Sequence, residues 1–468
     1  MTKNEFAARN DHRISDRAFG LVVAVALIFC PGHSAQAGAK TWVAGGATGD
    51  WGIASNWNSN SLPALADDVL FDNSGQSPLE DIFLSAPRTI NSLTINLTAG
   101  SNQSWNLGAD SSINARTLTL ASGNISVLST SGSGTYVIGA TSGTGIGTGT
   151  MTLATSSAGF TFDDSRTNGG LFQINATVSG LGTTVTKTGV GTVVLTGANT
   201  YTGATTVGSS SASGGTLNAG AAGALGSTSS ITVNSGGTLL LSGSGNLNRV
   251  NDAAPITLGT TSGTAAILKR TGTASEGSGA HTNNGGVTST GTNATGLGAL
   301  TLNSNSTLDY GTGGVGTLVF ASFTPNGHVL NITNYTTTAS APLKSGTDGT
   351  DDRLIFNQDQ LTNLTDFSFG GISAIEIALG GGFFEITPVT PVSEPSTWCA
   401  AALAAAIMGF RLRHRMRIAS LKFVHYLTNS THRAESLIHF PHAKICAALK
   451  LLKAHISEEM GSALHFPH

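Results

Sequence analysis

Three groups of carboxylates hold the chemistry this 468-residue sequence could perform: Asp67, Asp68 and Asp72; Asp163 and Asp164 with Arg166; Asp348, Asp351 and Asp352 with Arg353. Paired carboxylates can divide the roles of acid and base in cutting a glycosidic bond, with a cation nearby to steady the charge. Each group also reads as a solvated turn, because an Asp side chain accepts hydrogen bonds from backbone N–H groups close by in the chain. The turn is the simpler reading, and no catalytic residue is assigned. Calcium at Asp348 to Asp352 lacks the EF-hand spacing and its closing Glu.

Other chemistries find less. Between residues 38 and 390 there are two histidines, His281 and His328, and no cysteine, since Cys30, Cys399 and Cys446 lie toward the ends. A Ser/His or Cys/His nucleophile and a histidine zinc site therefore have few candidates. Gly311-Thr-Gly313-Gly-Val-Gly316 has G-x-G-x-x-G spacing. Dinucleotide binding, however, needs a helix N-terminus at the pyrophosphate, and Thr317 to Phe320 reads as a strand. We expect no enzymatic activity, metal or cofactor.

Charge narrows the partners. From Lys40 to Thr390 there are 10 Lys and Arg against 19 Asp and Glu, a net charge of −9, whereas from Arg411 onward there are 9 against 3, or +6. An acidic body cannot release counterions from a phosphate backbone, so nucleic acid is excluded as a partner.

The elements that would position any site are short strands. The sequence has 61 Gly and 10% charged residues, and β-branched and apolar residues alternate between breaks of Gly, Asn and Ser, with no long amphipathic helix in the body. Ile231-Thr-Val-Asn-Ser-Gly-Gly-Thr-Leu-Leu-Leu realigns on Leu300-Thr-Leu-Asn-Ser-Asn-Ser-Thr-Leu-Asp-Tyr, with a weaker copy at Leu118-Thr-Leu. A strand of this length buries one face only and must stack on its neighbours. The expected fold class is all-β, a right-handed parallel β-helix (β-solenoid) with a short C-terminal apolar helix. At about 22 residues a coil, the body has room for about 15 coils.

The most specific stretch runs from Lys187 through Gly189, Gly191, Leu195, Gly197, Asn199, Tyr201, Gly203 and Thr205 to Val207. It resembles the autotransporter-associated β-strand repeat of bacterial passenger domains, which implies a coil of β-helix at about 184–217. Ahead of it, Trp42, Trp51 and Trp57 with Asp67-Asp68-Val69-Leu70-Phe71 resemble the opening segment of such repeat proteins. The three tryptophans could cap the first coil or stack on sugar rings as a glycan contact, and capping is favoured on structural need.

Both ends read as addresses. Lys3, Arg9, Arg13 and Arg17 precede an apolar run from Ala18 to Cys30 and the triplet Ala35-Gln36-Ala37, a signal peptide cleaved after Ala37. A lipoprotein signal at Cys30 is disfavoured by the bulky Phe29 beside it. Near the other end, Ser393, Glu394, Pro395 and Ser396 lead into an Ala-rich apolar stretch from Cys399 to Phe410 and then Arg411, Arg413, Arg415 and Arg417. This order resembles the PEP-CTERM sorting signal, with Ser393 in place of the first proline. The resemblance implies transient membrane association through the apolar helix, arginines on the cytoplasmic side, and cleavage by an exosortase-like enzyme. A retained anchor would use the same features. The stretch from Arg411 onward holds eight of the 12 histidines and repeats His-Phe-Pro-His at His439 and His465. Such tracts can bind metal, but a frame change or read-through past an older stop codon explains this one as well.

The expected organisation is a signal peptide over 1–37, a Trp-containing capping segment over 38–110, the β-solenoid over 111–315, a closing β segment over 316–390, the sorting signal over 391–417 and a basic His-rich tail over 418–468. The function this implies is a secreted or cell-surface structural or adhesive protein of the envelope or exopolysaccharide matrix. Its partners would be signal peptidase, the sorting enzyme and an exopolysaccharide. The alternative is a carbohydrate-binding or polysaccharide-cleaving β-helix.

Overall fold

Alternation in the sequence becomes alternation across a sheet. In Val69-Leu-Phe71, Leu93-Thr-Ile95, Ile125-Ser-Val127 and Phe160-Thr-Phe162 the outer residues are buried and the middle one half-buried. Successive side chains of a strand point to opposite faces, so each segment gives one apolar edge to a common interior.

The computed structural model describes residues 38–72, 80–97, 104–110, 114–209, 214–260, 264–277, 296–337, 346 and 349–389. The signal segment with Ala35 and Ala37 lies outside the described residues. So do Ser393, Glu394, Pro395, Ser396, Arg411 and Arg413, the expected C-terminal helix, the tail, Asp348 and His281.

The described chain is nearly all β, built of long parallel sheets in the arrangement of a β-solenoid. The first sheet has eleven strands, from Ala39–Thr41 to Phe323–Thr324, each paired in parallel with the strand of the coil before and after. The second has fifteen, beginning at Glu80–Leu84 and running in parallel to Phe367–Phe369 before its pairing changes. A third sheet of four strands, Arg88–Ile90, Arg116–Leu120, Met151–Thr155 and Thr177–Val178, closes the early coils.

Side chains stack as the strands do. Phe172, Val193, Leu217, Leu239, Leu268 and Leu308 follow one another in register on the second sheet, all fully buried. Burying each such side chain is worth about 1.5–3 kcal/mol, a gain that exists only when a neighbouring coil covers it.

The repeats seen in sequence are coils in space. Ile231–Val233 and Leu300–Leu302 both lie in the first sheet, and Thr238–Leu241 and Ser306–Asp309 both lie in the second. The weaker copy at Leu118 falls instead on the third sheet. Coil length varies more than the expected 22 residues allows, because the corners carry insertions while the strands keep register. Lys187 lies opposite Val207, 20 residues on, whereas Leu258 lies opposite Leu302, 44 residues on. Eleven strands in the first sheet thus occupy chain that a uniform short coil would have divided into about 15.

The parallel stack ends in antiparallel pairing. Arg353–Phe356 pairs in parallel with Thr317–Phe320, but Phe383–Pro388 runs antiparallel to both Arg353–Phe356 and Ile372–Gly380. A second apolar cluster of Val319, Ile355, Leu379 and Phe383 covers the other side of these strands, so Thr317–Phe320 and Arg353–Phe356 are buried on both faces.

Candidate functional site

The tryptophans lie in the core of the first coils. Trp42 meets Trp57 edge to face at 5.0 Å and Trp51 meets Trp57 at 4.9 Å, while Phe71 continues the cluster to Trp105 at 4.9 Å. Their exposures are 2% for Trp42, 0% for Trp51 and 1% for Trp57. A ring must offer an open face to stack on a pyranose, and these faces are taken by one another, which corrects the glycan-contact reading. Asn56, which sequence reasoning missed, holds the segment around them. Its Nδ2 donates to the carbonyls of Thr48 at 2.9 Å and Asp50 at 2.8 Å, and its Oδ1 accepts from the Gly46 N–H at 2.6 Å. Trp57 Nε1 donates to the Trp51 carbonyl at 3.0 Å.

The carboxylate groups do not converge. Asp67 accepts from the Ala64 N–H within its own turn, and Asp68 accepts from Asn91 Nδ2 at 2.7 Å and Ser92 Oγ at 2.6 Å of the next coil. Asp163 and Asp164 are consecutive in one strand and so point to opposite faces. Outward, Asp163 accepts from Ser165 Oγ and Thr188 Oγ1, both at 2.8 Å. Inward, Asp164 takes two bonds from Arg166, Nε at 2.9 Å and Nη2 at 3.1 Å, with both side chains fully buried. Arg166 also donates to the carbonyls of Gly132 and Gly134 and lies over the Tyr136 ring at 4.5 Å. The guanidinium thus ties its own coil to the preceding one.

In the third group, Asp351 is buried and Asp352 pairs with Arg270 while accepting from the N–H groups of Gly316 at 2.9 Å and Thr336 at 2.8 Å. Burial raises the Asp352 carboxyl above its ordinary range, against the pull of Arg270. Arg353 pairs with Glu385 at 3.0 Å, and Tyr310 donates to the Arg353 carbonyl at 2.8 Å. The described members of this group serve the join between coils and closing strands. No group of three or more His, Cys, Asp or Glu that could hold a metal occurs among the described residues.

The repeat-motif residues are brought together as one coil. Lys187 points inward from the first sheet, fully buried, and its Nζ donates to the carbonyls of Thr188 at 2.6 Å and Gly189 at 2.8 Å. Burial pulls its pKa down to about 8, with Asp164 and Asp163 opposing. Gly189 turns the corner with φ +74°, and a Cβ there would sit 2.3 Å from the Asp164 carbonyl oxygen. A Cβ on Gly191 would sit 2.5 Å from Asp164 Cγ, on Gly197 2.4 Å from the Ala176 carbonyl and on Gly203 2.3 Å from the Thr183 carbonyl. These glycines are where the neighbouring coil passes closest.

Leu195 is fully buried in the second sheet. Asn199 bridges coils in both directions, accepting from the Val178 N–H at 2.8 Å and donating to the Ala224 carbonyl at 2.7 Å. The Tyr201 hydroxyl bonds Thr205 at 2.7 Å, and Thr205 bonds Thr228 at 2.9 Å in the coil beyond.

One further buried pair escaped sequence reasoning altogether. Arg249 Nη1 meets Glu276 Oε1 at 2.8 Å, with side-chain exposures of 0% and 1%. Burial pushes Glu276 up to about 6 despite Arg249. No spacing rule links two residues on separate coils whose corner insertions set their distance in the chain.

The fold thus defines an all-β protein of stacked parallel coils held at the corners by buried polar bridges. Compared with protein-family models, curated proteins and solved structures, the chain matches none. Among the described residues no helix is long and apolar enough to cross a membrane.

Proposed function

We propose that this chain is a non-catalytic structural or adhesive protein of the cell surface: a right-handed parallel β-helix exported by its N-terminal signal and sorted by the segment over 391–417. The observation that carries the reading is the coil from Lys187 to Val207. Its repeat-like residues are all engaged in stacking, with Asn199 and Thr205 bonded to adjacent coils and Lys187 to its own corner. Such a segment supports a scaffold that displays a surface. The right hand follows from the strong bias of parallel crossover connections within one sheet.

In this reading signal peptidase cuts after Ala37, and an exosortase-like enzyme acts near Glu394 and Pro395 while the apolar helix after Cys399 holds the chain in the membrane. The product joins the envelope or an exopolysaccharide matrix. Labelling of intact cells with an antibody against the body tests this: surface signal removed by external protease is expected. Signal seen only after lysis would overturn it, as would release of reducing ends from matrix polysaccharide by the purified chain.

A further inference from the structure

Gly38, the residue that follows the Ala35-Gln36-Ala37 triplet, sits beside a carboxylate with an oxygen to spare. The first sheet opens on the short edge strand Ala39–Thr41, which pairs in parallel with Asp68–Asp72. Its register sets Ala39 opposite Asp68 and Lys40 opposite Val69, and the Asp68 N–H donates to the Gly38 carbonyl at 3.2 Å. Gly38 therefore lies level with Asp67. A Cβ on Gly38 would sit 3.3 Å from Asp67 Oδ1.

Asp67 is held in this position by its own turn. The Ala64 N–H donates to Asp67 Oδ2 at 2.8 Å, and the Asp67 N–H donates to the Ala64 carbonyl at 2.9 Å. Among the described residues Oδ1 accepts no hydrogen bond. The charged neighbours are committed elsewhere: Asp68 accepts from Asn91 Nδ2 and Ser92 Oγ, and Lys40 Nζ donates to Ser59 Oγ and Ser61 Oγ. Asp67 is half-buried and Gly38 exposed.

Hydrolysis of the Ala37–Gly38 bond consumes one water and leaves a carboxylate on Ala37 and an α-ammonium on Gly38, charged below about pH 8. A rotation of about 120° about the Gly38 Cα–C bond then moves that nitrogen into the Cβ position without disturbing the carbonyl that Asp68 holds. A side chain at this residue would already fill the place. In the uncut chain the same nitrogen is a neutral amide joined to Ala37.

We propose that signal cleavage arms a latch: the new Gly38 α-ammonium pairs with Asp67 Oδ1 and fastens the first strand of the solenoid to the second. The inference rests on the export reading above and deepens it by giving the cut a consequence for the fold. A three-residue edge strand frays easily, and the pair ties down its free end. The charge exists only after the cut, so the first coil tightens only in the processed chain.

The test uses the chain from Gly38 to His468 in detergent, made with a removable leader whose proteolysis frees the Gly38 amine. Mass spectrometry reads the pKa of that amine from its rate of acylation against pH. Asp67 is expected to hold it above the ordinary value of about 7.7–8.0, and Asp67→Asn, which keeps an acceptor for the Ala64 N–H, to return it there. Freeing the amine should slow hydrogen exchange at the Asp68 and Trp42 amides, which bond across the two strands, by about two- to fivefold. Acetylation of the amine or Asp67→Asn should abolish that slowing.

An amine with the same pKa in the wild type and in Asp67→Asn would overturn the proposal, as would exchange unchanged by freeing the amine. Acetylation needs no substitution, so that comparison stands even where the variant fails to fold. The N-terminus of the secreted protein judges the export reading separately. A start other than Gly38 sinks that reading and the latch with it, whereas a start at Gly38 with an amine indifferent to Asp67 sinks the latch alone.

Discussion

Arg249 and Glu276 stand on successive coils with their charged atoms 2.8 Å apart and both side chains buried. Glu276 Oε1 and Oε2 also accept from the Arg249 backbone N–H, and Arg249 Nε donates to the Ser242 carbonyl at 2.8 Å. Taking two charges out of water costs several kcal/mol each, so this pair holds a corner in place and adds little net stability.

Breaking it from one side should be severe. Arg249→Met leaves a buried carboxylate without its cation and is expected to cost about 3–5 kcal/mol in denaturant unfolding, whereas Arg249→Met with Glu276→Leu should recover most of the loss. A single variant no less stable than the double one would contradict this account of the corner.

Lys187 makes a pH-dependent contribution of definite sign. Its folded pKa of about 8 lies below the ordinary 10.5, so between those values the unfolded chain binds the extra proton and stability rises with pH. Below about pH 8 the buried charge is present and costs about 3 kcal/mol relative to the neutral amine. Comparing thermal midpoints of the wild type and Lys187→Met from pH 8 to 10.5 should show the wild type gaining on the variant as pH rises. Parallel curves would refute the assignment.

Asn199 is the polar rivet of the best-defined coil. Asn199→Ala removes bonds to both Val178 and Ala224 and should cost about 2–4 kcal/mol, with hydrogen exchange accelerating at the Val178 amide. Asn199→Asp keeps the acceptor for Val178 and loses the donor to Ala224, so protection at Val178 should persist. Equal loss of protection in both variants would count against the bridging role.

Gly189 tests how tightly coils pass. Gly189→Ala forces a side chain into φ +74° with its Cβ 2.3 Å from the Asp164 carbonyl, and should destabilise by about 2 kcal/mol or more. A variant of wild-type stability would mean that the corner relaxes freely.

What could be read in the sequence was what recurs locally. Ile231-Thr-Val and Leu300-Thr-Leu carry a period of two, and that period placed both in the same sheet. Lys187, Asn199 and Tyr201 were legible as a unit because their spacing is set within a single coil. The carboxylate groups were legible as turn residues at Asp67, but not as bridges between coils at Asp68 and Asp352. Such partners depend on which coil lands above which, and an insertion at any corner shifts their sequence separation without altering the contact.

The most direct measurement is the mass of the protein recovered outside the cell. The expected chain begins at Gly38 and ends close to Glu394, its solenoid intact. An extracellular form that retains the residues before Gly38, or that ends at His468, would contradict export and sorting as proposed.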